Sequence, residues 1–355
     1  MTAPTLTPTG QAGPTLERHG QLSPANLLAL SGGAAAIAAL LVLGTGAHGP
    51  VQAVLILDLL VMAIIPGASA LVEGTRRAKD RLVTTLVYSA FLVALAPLVS
   101  VLGYTLTRGL ARFDPEFFTR SLRNIGARDA GGGAYHAILG TLEQVGLASL
   151  ISVPFGILVA IYIVEYGGRS RLAAAIRFFV DVMTGIPSVV AGLFVLAFYI
   201  LGLCFGASGI AAAFALTILM LPTIVRSSEE MLKLVPGSLR EASLALGVPQ
   251  WKTIWKIVLP TALPGIVTGV MLAVARAMGE TAPILLTAFG SASINSDPFN
   301  GPQESLPLFI YKQAGDAQQT AVDRAWTAAL TLILVVMALN LLARLVTRSS
   351  TLKKG

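Results

Sequence analysis

Eight stretches of the chain run almost without charge for the length of a bilayer crossing: roughly 26–44, 51–72, 83–105, 135–163, 186–205, 209–225, 263–289 and 325–346. About 20 consecutive apolar residues let a helix cover 30 Å of hydrocarbon, so each stretch predicts a membrane-spanning helix. The runs are continuous rather than alternating every second residue, which argues against transmembrane β-strands. The fourth and seventh exceed one crossing and predict tilt or extension past the bilayer. The fifth and sixth are parted only by Gly206 to Ser208, which predicts a tight hairpin. The first run is too long for a signal-peptide core, and its leading segment carries a single basic residue, Arg18; it reads as a retained helix. The expected fold is all-α and polytopic, with about eight spans.

Composition hardens that picture. Of 355 residues, 55% are hydrophobic and 12% charged, and the mean hydropathy is +0.77. That is about half the charge of an ordinary soluble chain, which excludes intrinsic disorder and a soluble enzyme core. One cysteine, Cys204, excludes an intrachain disulfide framework, and His19, His48 and His136 have no metal-ligand spacing. With both termini inside, 17 of the 25 lysines and arginines lie on inner segments, among them Arg76, Arg77, Lys79 and Arg81. Seven lie outside: Arg108, Arg112, Arg120, Arg123, Arg128, Lys312 and Arg324. The positive-inside rule then predicts cytoplasmic termini, and the net charge of +7 marks a face against anionic membrane lipid, not a nucleic-acid surface. Residues 1–24, rich in Thr, Pro and Gly, predict a disordered cytoplasmic tail, and 347–355 a short second one. The outer loop 106–134 sets five arginines beside Asp114, Glu116 and Asp129; an anion-greeting surface and a solvated loop are equal readings.

The inner segment 226–262 is folded rather than a plain linker. Ser238 and Glu241 stand in the S-x-x-E spacing of a helix start, Gly247 supplies a left-handed stop, and Pro249 restarts a helix at its first turn. Trp251, Ile254, Trp255 and Val258 follow at helical spacing, with Lys252 and Lys256 on another face. No lysine in the chain is preceded by glycine, so a phosphate-cradling Walker loop is absent and any nucleotide hydrolysis belongs to another chain.

Arg276 lies midway along the seventh run, with Glu280 four residues on and Gly269, Ala273, Gly279 and Pro283 sharing or bordering that face. A cation at that depth costs about 2.5–3.5 kcal/mol and must face a cavity or a partner. Two readings stand: a buried ion pair that fixes helix packing, or a forked donor for an oxyanion, held neutral by Glu280 when empty. Weaker candidates are Asp58 and Glu143; Glu165 and Asp181 flank inner span ends. Asp181 sits four residues from Arg177 as a helix-surface pair would, and Cys204 reads as packing.

Several of these pieces together resemble a known family. Glu241-Ala242-Ser243, three residues, Gly247, nine residues and Ile257-Val258-Leu259-Pro260 are similar to the EAA loop of ABC-importer permeases, although the third position is usually alanine. Arg276 with Gly279-Glu280 resembles the oxyanion permeases, including those for sulfate and molybdate, and the continuing Thr281-Ala282-Pro283 resembles the PstA-type phosphate permeases. Matching pieces such as Ile161-Tyr162-Ile163-Val164-Glu165-Tyr166-Gly167 and Ile186-Pro187-Ser188-Val189-Val190-Ala191-Gly192 extend the likeness over roughly 82–346, as a six-helix permease core; 25–81, two additional helices, fall outside it. The resemblance implies a type I ABC-importer permease for inorganic phosphate in a bacterial inner membrane. A PstC-like second permease, a PstB-like ATPase dimer and an external PstS-like phosphate-binding protein are the implied partners. It further implies that this chain binds no cofactor, ATP and Mg²⁺ being used by the ATPase. Arg276, Glu280, Arg226 and Thr281 would serve translocation, while Glu241, Ala242, Ser243, Gly247 and Pro260 would couple to the ATPase. Arg226 reads equally well as an interfacial anchor. The alternatives are a sulfate or molybdate permease, a proton-coupled secondary transporter using Glu280, and a phosphate-sensing scaffold.

Overall fold

The computed structural model describes residues 22–45, 50–168 and 170–352. The tail expected over 1–24 lies outside the described residues except for its last three, as do Arg18, His19, His48 and 353–355. Among the described residues no strand forms, only a bridge between Phe289 and Gln303. Seven helices among the described residues are long and apolar enough to cross a membrane, or eight if one bent pair counts as a span. The chain divides into two units between Gly103 and Tyr104.

In the first unit, α1 (Pro24–Thr45) and α2 (Pro50–Val72) form a hairpin, and α3 (Thr75–Gly109), whose last turns belong to the second unit, follows after Gly74, whose φ of +91° makes the corner. Glu73 anchors that corner: it accepts from Arg81 Nε and Nη2 at 2.7 and 3.0 Å, from Ser69 Oγ at 2.6 Å and from the Leu22 amide at 2.8 Å. The Arg81 guanidinium, with Ser69 beside it, pulls this carboxyl from 4.5 down to about 2. Asp58, half-buried on α2, accepts from Ser89 Oγ at 2.8 Å.

The second unit is organised around α8 (Gly209–Lys233). Ala211, Ala212, Ala213, Ala215 and Leu216 on it are wholly buried. α5 (Tyr135–Ile161) packs along it at a small-residue approach, since a Cβ on Gly156 would stand 2.7 Å from Ile224. α4 (Pro115–Thr119) tucks Phe117 under α13 (Leu306–Ala314) and α14 (Gln319–Leu352). The last of these runs on as helix through most of the expected C-terminal tail.

Three expectations about the spans change. The fifth, 186–205, begins at a corner of 106° between α6 (Arg171–Thr184) and α7 (Ser188–Val195), because Gly185-Ile186-Pro187 interrupts the helix. The seventh, 263–289, is not one helix: α11 (Leu259–Met278) stops at Gly279, and α12 (Ala282–Thr287) restarts with Pro283 in its first turn. Cys204 is not packing; it is exposed, with φ +57° at the turn before α8.

Candidate functional site

The break after Met278 decides where the candidate cation sits. Arg276 occupies the last turn of α11, beside the negative end of the helix dipole, and not the middle of an unbroken span. Glu280 lies past the helix end, with Oε1 3.7 Å from Arg276 Nε: paired by charge, not by a hydrogen bond. The two differ in exposure, 68% for the arginine side chain and 15% for the glutamate. Thr281 stands at the start of α12, and its carbonyl accepts from the Leu285 amide. Beyond the break α12 packs against α7 and α8, with Pro283 pressed on Gly192. The interruption thus lies inside the bundle. Broken backbone at membrane depth persists only where protein or a water-filled cavity meets it.

Toward the other end of α8 lies a cluster that sequence reasoning missed. Glu229, buried, faces Arg177 Nε at 3.0 Å and Lys233 Nζ at 2.9 Å. Arg226, with its side chain 52% exposed, faces Glu229, Asp181 and Glu230, none closer than 3.8 Å. Asp181 therefore pairs with Arg226 rather than with Arg177, which turns inward to Glu229 and the Ile163 carbonyl. The available signal was Glu229 with Lys233 four residues on, at the end of an apolar run.

The segment between α8 and α11 is the expected hairpin. α9 (Gly237–Ala245) starts from Pro236, so Ser238 caps nothing and the S-x-x-E box is not made. Gly247 holds φ +75°, and Pro249 caps α10 (Gln250–Thr253) from just outside its first turn. A π-helical stretch, Ile254–Val258, leads into α11. Its wide turn splits the expected apolar stripe: Ile254 and Val258 are buried, Trp251 and Trp255 exposed. Glu241 and Ala242 face solvent, and Pro260 lies in the first turn of α11. Ser243 is buried, its hydroxyl 2.8 Å from that of Thr253 across the hairpin. Leu234, Leu239, Leu244 and Leu246 join the two tryptophans in an exposed apolar surface, the kind that marks a docking face.

Arg240 ties this hairpin to the end of α5. It donates to Glu165 from Nη2 at 2.7 Å and Nε at 3.1 Å, and to the Leu232 and Val235 carbonyls at 2.9 and 2.6 Å. Gln250 donates to the Glu165 carbonyl at 2.9 Å.

Within the 106–134 loop, Arg112 serves structure, pairing with Asp114 at 3.1 Å and donating to the Gly132 carbonyl, whereas exposed Arg120 stands 3.8 Å from Glu116. Arg324, counted above among the outer charges, is 1% exposed and donates to Gln313 and to the Asp129, Gly131 and Ala127 carbonyls. Glu143 accepts from Gln303, which fastens the 289–305 loop to α5.

Residues 152–351 match the family of binding-protein-dependent transport system inner membrane components. The phosphate transport system permease protein PstA 1 of Mycobacterium tuberculosis (strain CDC 1551 / Oshkosh) is 48% identical over 76% of this chain and 89% of its own length. The PstA protein of Mycobacterium leprae is 46% identical over 75% and 88%, and that of Pasteurella multocida 39% over 76% and 95%. An inward-facing structure of the MetNI methionine ABC transporter superposes with a TM-score of 0.48 at 21% identity, over 61% of this chain and 94% of that one, too loosely to inform the geometry. The chain belongs to the binding-protein-dependent transport system inner membrane components, as a multi-pass permease of the PstA kind.

Proposed function

We propose that this chain forms, with a second PstC-like permease, the membrane pathway of an ATP-driven importer of inorganic phosphate in a bacterial inner membrane, both termini cytoplasmic. The observation that carries it is Arg276: a mostly exposed guanidinium at a helix break inside the bundle, 3.7 Å from its one ion-pair partner among the described residues, in a chain 48% identical to a phosphate permease. A side chain held that loosely can exchange a carboxylate for an oxyanion, with Glu280 neutralising it between passages and the Thr281 hydroxyl beside the break as a further donor. Arg226, whose partners all stand 3.8 Å or more away, offers the same exchange near the inner exit.

The exposed face of the hairpin, with Glu241, Ala242 and the Gly247 turn, is the docking surface for an ATPase dimer. Ser243 and Pro260 set the shape of that surface from behind. This chain holds no cofactor itself; ATP and Mg²⁺ are used by the ATPase, and an external phosphate-binding protein delivers the solute. Energy input is needed on physical grounds: phosphate carries about 1.5–2 negative charges near pH 7, and each costs about 2.3 kcal/mol against 100 mV.

The test is uptake of labelled phosphate by vesicles containing all subunits. Arg276→Ala is expected to abolish uptake while the complex still co-purifies, and failure to assemble would make the pair a packing element instead. Competition by sulfate with none by phosphate would assign the other oxyanion. Collapse of uptake by a protonophore with ATP intact would assign proton coupling.

A further inference from the structure

We infer that Glu165 and Arg240 are the positioning residues through which the docking hairpin moves the transmembrane bundle. The inference deepens the coupling role proposed above and rests on it. Between α9 and α11 the hairpin is continuous with the bundle only through its two chain ends. Sideways, one set of bonds is concentrated on a single residue: Arg240 forks onto the Glu165 carboxylate, and Gln250 donates to the Glu165 carbonyl. The two arms of the hairpin, α9 and the start of α10, thus grip the same point.

Arg240 also donates to Leu232 and Val235 at the end of α8, so its guanidinium joins hairpin, α5 and α8 at once. The Glu165 side chain is only 7% exposed, which shields the pair from the screening that makes surface bridges weak; forked pairing adds direction to the attraction.

The backbone at the joint points the same way. Glu165 lies in a π-helical stretch, Tyr162–Tyr166, and the hairpin leaves through a second, Ile254–Val258. Such wide turns are rare, well under 1% of residues, and recur at working sites. Here one follows α5 and carries Glu165, and the other joins the hairpin to α11, with the charge-paired fork tying the hairpin to the first; a third, Leu196–Gly202, precedes α8. Arg177 holds the Ile163 carbonyl of the Glu165 stretch from α6, so a pull on Glu165 reaches α5, α6 and α8 together.

The test uses the complete transporter in proteoliposomes with its phosphate-loaded binding protein, reading ATP hydrolysed per phosphate imported. Glu165→Gln and Arg240→Gln are each expected to raise that ratio at least about fivefold, the scale of ordinary coupling energies, with the ATPase co-purifying in wild-type amount. Glu165→Asp, which keeps the charge, should restore most of the coupling, and the double variant E165Q/R240Q should be no worse than the poorer single one. A wild-type ratio in either single variant overturns the inference, as does loss of the ATPase from the complex, which would make the bridge a folding contact. Cross-linking from Leu246→Cys on a Cys204→Ser background to the ATPase reads docking separately. No cross-link with an otherwise intact complex would overturn docking and, with it, the inference; a cross-link beside an unchanged ratio overturns the inference alone.

Discussion

The two ends of the α8 bundle are fastened in different ways. At the end away from the hairpin the ties are buried and run largely from side chain to backbone: Arg324 to the Asp129 and Gly131 carbonyls, Thr141 Oγ1 to the Leu306 amide, Gln144 to Gln303. Glu304 there is buried enough for its carboxyl to be pushed up, against the pull of Lys312 at 3.0 Å. At the other end the ties are mainly ion pairs of two kinds: the short Arg240–Glu165 fork at 2.7 Å and Arg177–Glu229 pair at 3.0 Å, and the pairs of half-exposed Arg226, all at 3.8 Å or longer. Buried side-chain-to-backbone bonds have one geometry and a large penalty for breaking; loose ion pairs have many geometries and exchange partners cheaply. In a bundle built this way the loosest ties gather around Arg226, on the hairpin side, and the buried ones at the opposite end.

That contrast can be broken outright at Arg324. Arg324→Ala removes four bonds from a fully buried guanidinium and strands carbonyls in the fold. A loss of about 3 kcal/mol or more is expected, read as the disappearance of folded chain on size-exclusion chromatography in detergent. Glu229→Gln should cost less, about 1–2 kcal/mol, because Arg177 and Lys233 retain access to water; its thermal midpoint should sit between those of wild type and Arg324→Ala. Equal losses at the two sites would erase the distinction.

Ser243→Ala should cost about 1 kcal/mol, one neutral hydrogen bond, since Thr253 keeps a second acceptor in the Pro249 carbonyl. Its readout is the protection of the hairpin against proteolysis. The smallest effect is one of pH. Glu73 has its carboxyl pulled from 4.5 to about 2, so its bridge to Arg81 contributes fully above about pH 4.5 and is lost as the pH falls toward 2. Glu73→Gln should lower the melting temperature at pH 7, and the difference should shrink steadily below pH 4.5.

What the sequence made legible follows from the range of the forces involved. Apolar runs report membrane burial residue by residue, so the helices of the first unit, α5, α8 and α14 could be read directly. The left-handed Gly247 was legible because only local backbone sterics set it. The break at Gly279 was written in the same residues, yet an apolar count passes straight over a glycine and a proline. Tertiary pairs were not legible: Arg177–Glu229 and Arg240–Glu165 join positions 52 and 75 apart in the chain. Nothing local distinguishes Asp181 facing Arg226 from Asp181 facing Arg177. The serine in place of the usual alanine at position 243 looked like a neutral exchange of small residues, and only the fold brings Thr253 opposite it.

The wide turn at Ile254–Val258 also governs where the chain tolerates a change of length. It holds one residue more than an α-turn does, closing from the Leu259 amide back to the Ile254 carbonyl. Deleting a single residue there leaves an ordinary turn, with every flanking side chain still aimed at its present neighbour. The same deletion inside α8 rotates all that follows by about 100° and turns its buried alanines toward lipid. Natural length variation in this stretch of the chain is therefore expected to gather at that one turn.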